Sequence, residues 1–481
     1  MISIKRTLFT GIFYTAIARY SAIVISLFVT AVLSRLLSPE DFGIVAIATV
    51  IINFFSIFTD IGISPAIIQN KNLTKKDISA LFSFTIWSGI VISLIFFLLS
   101  WVISEWYASS ILKPLCQLLA INLFFSSANI IPNALFYKNK QFKYIAWRSF
   151  IIQISGGVLA VGFALLGGGL YSLIISPIIS SILLFLISFH KYPIKIHLTL
   201  GIDTLKKIFN YSVYQFSFNI INYFSRNLDK LLIGKYLPMS LLGYYEKSYR
   251  LMMLPLQNIT YVITPVMHPV LSDFQNDIER LSTSYEKIVR LLAYIGFPLS
   301  ILFLYSSKEI TLIIFGDKWM PSVETLKILS LTIGIQMILS SSGAIYQAAG
   351  DTKSLFNCGL FSSITNVAGM LASIFIFGTL KSIAISICIT FSLNFLQCYL
   401  VMYKVTFQER SFLIFIKQLI SPISLSIIIA FFLHHISAYT EHLSLLYSLC
   451  IKCCFFLISI GLYLQLTNEY DLIKKIKGKK I

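Results

Sequence analysis

Five polar side chains, Gln215, Asn219, Asn222, Arg226 and Asp229, follow one another at steps of four, three, four and three inside an otherwise apolar stretch. That spacing puts all five on one face of an α-helix. In a strongly hydrophobic chain, a polar face of this kind points to a protein interior or a water-filled cavity, because polar groups in lipid are costly. Thr15, Arg19, Ser26 and Thr30 share one face of an earlier stretch, Asn53, Ser56, Asp60 and Ser64 form a third stripe, and Arg250, Gln257, Tyr261 and Thr264 a fourth. The chemistry on offer is recognition rather than bond making. A guanidinium fork takes phosphate or carboxylate oxygens two at a time, so Arg19 and Arg250, nearest the middle of their stretches, are the first candidates for holding an anionic cargo. Arg226 and Lys230 come second, with Gln215, Asn219 and Asn222 lining the same side.

Each charge also has a structural reading. Arg19 and Arg250 are both read as lacking an acid one helical turn away, which leaves their charge for something else, and Arg19 snorkels, pairs across helices or meets cargo. Arg226, Asp229 and Lys230 are spaced so that they can neutralise one another. Asp60, beside Gly62, either holds backbone, pairs with Arg148, or binds substrate or a coupling proton, and Arg148 itself adds to a basic belt. Glu246 stands next to Lys247 ahead of Arg250. Cys450, Cys453 and Cys454 lack a second pair or a histidine set, so zinc is not expected. His434, His435 and His442 read as a solvated loop. No nucleophile–base pairing, no paired carboxylates and no phosphate-cradling G-x-x-x-x-G-K-[ST] occur, so the chain reads as neither an enzyme nor an ATPase, with no cofactor.

The elements that must position these residues follow from composition. Of 481 residues, 57% are hydrophobic and only 12% charged, where soluble domains carry about 25% charged residues. Mean hydropathy is +0.82. Apolar runs long enough to span a bilayer fall near 10–34, 42–68, 78–103, 112–136, 145–166, 169–189, 208–232, 240–268, 288–314, 322–346, 354–377, 380–403, 412–433 and 445–466. The expected fold is therefore all-α, a polytopic membrane protein of about fourteen transmembrane helices. The first run follows Lys5 and Arg6 as a signal peptide would, but its length and the lack of an A-x-A-like site mark it as a retained helix.

The net charge of +18 does not signal nucleic acid, because the basic residues sit mostly in short connections. With an even number of spans the loops on the side of the termini hold 24 Lys and Arg against seven on the other, which puts both termini in the cytoplasm.

A shift of 200 residues aligns Arg35 with Lys235, Gly43 with Gly243 and Pro65 with Pro265. After a ten-residue slip, a shift of 210 aligns Ala134 to Phe136 with Ala344 to Tyr346, Lys143 with Lys353, Gly168 with Gly378 and Ser172 with Ser382. Helices 1 to 6 thus repeat as 7 to 12 in the same orientation. The expected organisation is a lobe at 1–200, a second lobe at 201–406, and at 407–481 two appended helices with a basic cytoplasmic tail.

Three segments resemble a known family. Leu33 to Gly43 (LSRLLSPEDFG), Asp60 to Gln69 (DIGISPAIIQ), and Arg226 to Gly234 (RNLDKLLIG) followed by Leu242-Gly243-Tyr244-Tyr245 are similar to bacterial polysaccharide flippases. The type is the colanic acid and teichuronic acid exporter within the multidrug/oligosaccharidyl-lipid/polysaccharide superfamily. The resemblance implies a fold like that of the multidrug and toxin extruders, two six-helix lobes often with two more helices, and alternating access through a cavity lined by helices 1, 2, 7 and 8. It also implies a substrate of undecaprenyl-pyrophosphate-linked oligosaccharide crossing the bacterial inner membrane. Expected partners are that lipid-linked substrate, membrane lipids, and the polymerase and glycosyltransferases of the same pathway. The rival within the superfamily, a cation-coupled multidrug exporter, calls for buried carboxylates, and Asp60 stands nearly alone in the first lobe. A lipid II flippase shares the anionic cargo. A receptor or scaffold has no evident need for two like lobes with polar stripes.

Overall fold

A computed structural model describes residues 2–59, 63–69, 73–197, 220, 223–224, 226–260, 267 and 270–467. Helix is the only regular secondary structure among them. In chain order the helices are α1 (Ile2–Leu36), α2 (Pro39–Thr59), α3 (Ile63–Gln69), α4 (Lys75–Trp106), α5 (Leu112–Lys138), α6 (Phe142–Leu165) and α7 (Ser172–Lys191). They continue with α8 (Met239–Pro255), α9 (Ile278–Phe315), α10 (Met320–Ser330), α11 (Ile333–Leu339), α12 (Ser342–Ala348), α13 (Thr352–Ala372), α14 (Leu380–Val401), α15 (Phe412–Thr440) and α16 (Leu445–Leu466).

Among the described residues eleven helices are long and apolar enough to cross a membrane. They become twelve if Asp317–Ser330 and Ile333–Ala348, bent by 50° at a short break, form one span. The expected span at 208–232 lies mostly outside the described residues, and that at 240–268 is described only at 240–260 and 267, so the fourteen expected spans are consistent with the fold. One boundary differs at the last pair of spans: α15 runs on to Thr440, so His434 and His435 are helical and only His442 lies in the loop.

Helix starts are set by local chemistry. Ser38 and Asp41 open α2 reciprocally: the Ser38 amide donates to Asp41 Oδ2 at 2.9 Å and the Asp41 amide to Ser38 Oγ at 3.2 Å. Thr74 and Asp77 do the same for α4, at 2.9 and 3.2 Å. Each such box satisfies amides that the first helical turn leaves open. Asp277, 200 residues beyond Asp77, caps α9 through the Arg280 amide at 2.9 Å.

The chain divides into two compact units, Met1–Gly243 and Tyr244–Ile481. In the first, α4 packs on α5, α1 on α6, and α7 on both α5 and α6. In the second, α9 packs against α10, α11, α15 and α16, and α13 against α14. Close approach uses small residues, as expected where lipid removes the hydrophobic drive between helices. A Cβ on Gly89 would lie 2.8 Å from Ser127 Cβ where α4 meets α5, and one on Gly296 would lie 2.9 Å from Gly334 Cα where α9 meets α11. The two crossings are the same contact at a shift of 207, which places part of the slip before them and the rest after.

Beyond that point the second unit carries three extra residues, and there α11 gives way to α12, while an earlier break separates α10 from α11. The first unit runs through the equivalent region as one continuous helix of 27 residues.

Candidate functional site

In the first unit α1 presents three different faces. Ile17, Tyr20, Val24 and Phe28 are 46%, 51%, 66% and 68% exposed and form one apolar stripe. A second side is covered by α6, where Gln153 Nε2 donates to the Ala22 carbonyl at 2.8 Å and Val29 sits against Gly157. Arg19, Ser26 and Thr30 project from the third, roughly 125–165° around the helix from the apolar stripe at 100° per residue. Arg19 is exposed there and Thr30 buried. The polar face expected from spacing is thus turned away from the surface that apolar side chains claim.

The segment around Tyr223 packs on α2. The Tyr223 hydroxyl donates to the Val50 carbonyl at 2.5 Å, and the Phe224 ring lies 4.9 Å from that of Phe54. Arg226 is exposed, while Asp229 and Lys230 are half-buried. Arg19, Asp229, Lys230 and Arg250 all engage other groups of the protein through hydrogen bonds, charge or ring contacts, so none stands idle. Asp60, Gln215, Asn219 and Asn222 lie outside the described residues.

Arg148 is more deeply placed than a residue of a basic belt. It is 6% exposed, donates to Ser188 Oγ at 2.6 Å and Asn133 Oδ1 at 2.8 Å, and lies 4.7 Å over the Phe136 ring. These partners are all neutral. At a shift of 210 the same three-way contact recurs in the second unit with different chemistry: the Tyr346 hydroxyl donates to the Cys398 carbonyl at 2.8 Å and lies 3.5 Å from Cys358 Sγ.

In the second unit α8 carries Arg250, half-buried, and Lys247, 2% exposed. The Lys247 ammonium sits 5.5 Å from the Phe315 ring and 5.9 Å from that of Trp319. Glu246 precedes Arg250 by four residues, the spacing of a helical ion pair, and both Glu246 and Arg250 act on the charge of Lys247. The expectation that Arg250 lacks an acid one helical turn away therefore fails, since Glu246 stands at that spacing.

One buried ion pair escaped sequence reasoning. Lys452 Nζ on α16 meets Glu309 Oε1 on α9 at 2.5 Å, with side chains 3% and 9% exposed. The ammonium also donates to the Tyr305 carbonyl at 2.8 Å, and Ser448 Oγ to Glu309 Oε1 at 2.8 Å. The signal was present: Lys452 is the one basic residue of the last apolar run, and a charge there demands a partner. Among the described residues no group of three or more His, Cys, Asp or Glu could hold a metal ion.

The arrangement is that of a multi-pass membrane protein with charged, polar helix faces, and comparison with known proteins places it. The chain is 26% identical over 339 residues to an uncharacterized membrane protein in the cps region of Klebsiella pneumoniae, covering 70% of each. It is 24% identical over 356 residues to the teichuronic acid biosynthesis protein TuaB of Bacillus subtilis (strain 168), covering 73% of each. Its fold is similar to that of the lipid II flippase MurJ in an inward closed conformation, with a TM-score of 0.72 at 15% identity over 96% of this chain and 100% of that one. Residues 32–324 match the profile of the family described as polysaccharide biosynthesis protein. That match takes in more than half of the 481 residues, and the chain belongs to the polysaccharide biosynthesis protein family.

Proposed function

We propose that this protein is a flippase that carries an undecaprenyl-pyrophosphate-linked oligosaccharide repeat unit across the bacterial inner membrane for assembly of a surface polysaccharide. The observation that carries the reading is the third face of α1, where a membrane-spanning helix of this family turns Arg19, Ser26 and Thr30 away from its exposed apolar stripe. A pyrophosphate moved through a low-dielectric region needs fixed cations to offset the loss of water. Arg19 and Arg250 supply them first, Arg226 and Lys230 second, while Gln215, Asn219 and Asn222 take sugar hydroxyls. Asp60 and Asp229 orient these cations or bind a coupling ion.

In this reading 1–200 and 201–406 are the two lobes of an alternating-access transporter, 407–481 adds two helices and the tail, and both termini are cytoplasmic. The polyprenyl chain stays in lipid while the headgroup crosses. Partners are the lipid-linked substrate, membrane lipids, and the polymerase and glycosyltransferases of the pathway. The names of the relatives, with teichuronic acid among them, favour an anionic glycan over the organic cations of a multidrug exporter.

The test is a deletion strain analysed by mass spectrometry. Lipid-linked repeat units should accumulate on the inner leaflet, and their sugars identify the cargo. No accumulation, or resistance to cationic dyes on expression, refutes the assignment.

A further inference from the structure

Gly43 and Gly243, matched by the 200-residue shift, are also matched in space. A Cβ on Gly43 would lie 1.9 Å from the Met239 carbonyl oxygen, and a Cβ on Gly243 would lie 1.9 Å from the Pro39 carbonyl oxygen. Positions 39 and 239 are themselves 200 apart. The first turn of α2 and the first turn of α8 therefore meet through one self-complementary contact, made twice, in which each glycine takes the other helix's carbonyl. The carbonyls are close enough to the glycine Cα for the weak C–H···O contacts that recur at helix crossings.

The chain on either side is fixed. The Ser38 and Asp41 box holds the strand entering α2, and the Pro238 carbonyl accepts the Leu241 amide at 2.9 Å. Beneath the contact lie Leu37, Ile47, Ile233 and Leu242, all buried, with Gly234 leaving room for the Ile47 side chain. The Tyr107 hydroxyl donates to the Leu231 carbonyl at 3.4 Å, and the Lys235 ammonium binds the Trp106 carbonyl. All of these residues lie in or next to the connections on the side opposite the termini in the charge count.

We infer that Gly43 and Gly243 form the reversible seam that seals the outer end of the pathway, and that their lack of side chains sets how firmly it closes. The inference rests on the flippase reading for what passes the seam, but not for the seam itself. A contact of backbone on backbone closes tightly and parts without breaking a side-chain pairing at the glycines themselves. A methyl on either glycine has to withdraw by about 1 Å before it reaches the closest approach that Cβ atoms make, which drives the two helix ends apart.

The test uses the full chain in cells, with Leu37→Cys as reporter under the seam and a membrane-impermeant maleimide added outside. Labelling is scored above that of the parent chain, whose own seven cysteines include exposed Cys450 and Cys454. Gly43→Ala and Gly243→Ala should each raise the reporter's labelling rate about tenfold, by shifting the population toward the open seam. Gly359→Ala should leave it unchanged, because the methyl it adds meets nothing within 4 Å. Unchanged labelling in both glycine variants at normal membrane levels overturns the inference.

Should neither variant accumulate, the reporter alone decides. Its labelling should rise in cells making lipid-linked glycan over cells lacking the first glycosyltransferase of the pathway, and equal rates overturn the seam where the deletion strain does accumulate that glycan. Labelling that responds to the alanines in a protein whose deletion leaves no lipid-linked glycan behind keeps the seam and removes the cargo assignment; the converse result removes the seam alone.

Discussion

Removing Lys452 probes how α16 is held to α9. In the native protein Glu309 Oε1 accepts from both Lys452 and Ser448, and Lys452 also donates to the Tyr305 carbonyl. Lys452→Met strands a buried carboxylate on Ser448 alone, whose single hydroxyl proton is shared with Thr440 Oγ1, 3.1 Å from Ser448 Oγ. Glu309→Gln instead leaves the ammonium with the Tyr305 carbonyl and a neutral amide. Breaking one half of a buried pair costs about 3–5 kcal/mol, while replacing both halves is close to neutral.

Contacts inside membranes measure at the low end, since the unfolded chain in lipid also finds partners. We therefore expect about 3 kcal/mol for each single variant and about 1 kcal/mol or less for the double variant, a strongly non-additive cycle. The assay is the temperature at which monomeric protein is lost in mild detergent. Single variants should fall by at least about 5 °C, with the double variant recovering most of it. Single variants at the wild-type midpoint, or a double variant equal to the sum, would show that the pair does not bind α16 to α9.

Arg19→Ala and Arg250→Ala should each abolish glycan export at normal protein level, with Lys retaining part of it because it keeps the charge and loses the fork; wild-type export by both Ala variants defeats the assignment. Asp351, between α12 and α13, should impose a pH dependence. Burial pushes its carboxyl up, but the Ser354 amide, the Thr406 hydroxyl and Lys353 outweigh it and hold the pKa below 3.8. Its stabilising effect over Asp351→Asn is then present above the unfolded value and lost as pH falls through the folded one, read as melting midpoints that converge on acidification. Arg148→Met should destabilise the first unit by about 1–3 kcal/mol, because Asn133 loses a donor and Ser188 a partner in a buried site, whereas Cys358→Met at the equivalent place strands no charge-assisted bond and should cost less in the same assay.

The membrane class, most of the spans and the polar face of α1 were legible in the sequence, each for a physical reason. Lipid forces runs of about twenty apolar residues, and a helix has one period, so Arg19, Ser26 and Thr30 had to share a side. Legibility failed where partners are far apart in the chain. Glu309 and Lys452 are 143 positions apart, and nothing local to either names the other. The extension of α15 past 433 was missed because His434 and His435 look like loop residues by polarity, yet their rings lie 4.8 to 6.2 Å from those of Phe431 and Tyr305.

The repeat shows how much of a shared fold survives loss of shared chemistry. Gly89 with Ser127 and Gly296 with Gly334 keep the same crossing, since a backbone approach tolerates only small residues and so leaves a trace in sequence. The contact around Arg148 leaves none: one unit fills the place with a guanidinium, a hydroxyl and a phenyl ring, the other with two thiols and a phenol. Both fill the volume, and apart from Arg148 Nε both give their buried polar atoms a partner, which is most of what packing demands. Because Cys358 and Cys398 show that the scaffold closes there without a cation, the charge of Arg148 is a property of the first unit alone and not a requirement of the fold. Exchanging the two sets, with Arg148→Cys, Ser188→Cys and Phe136→Tyr made together, should therefore preserve the fold of the first unit, and a triple variant that fails to accumulate in the membrane would show that the cation is needed to build it.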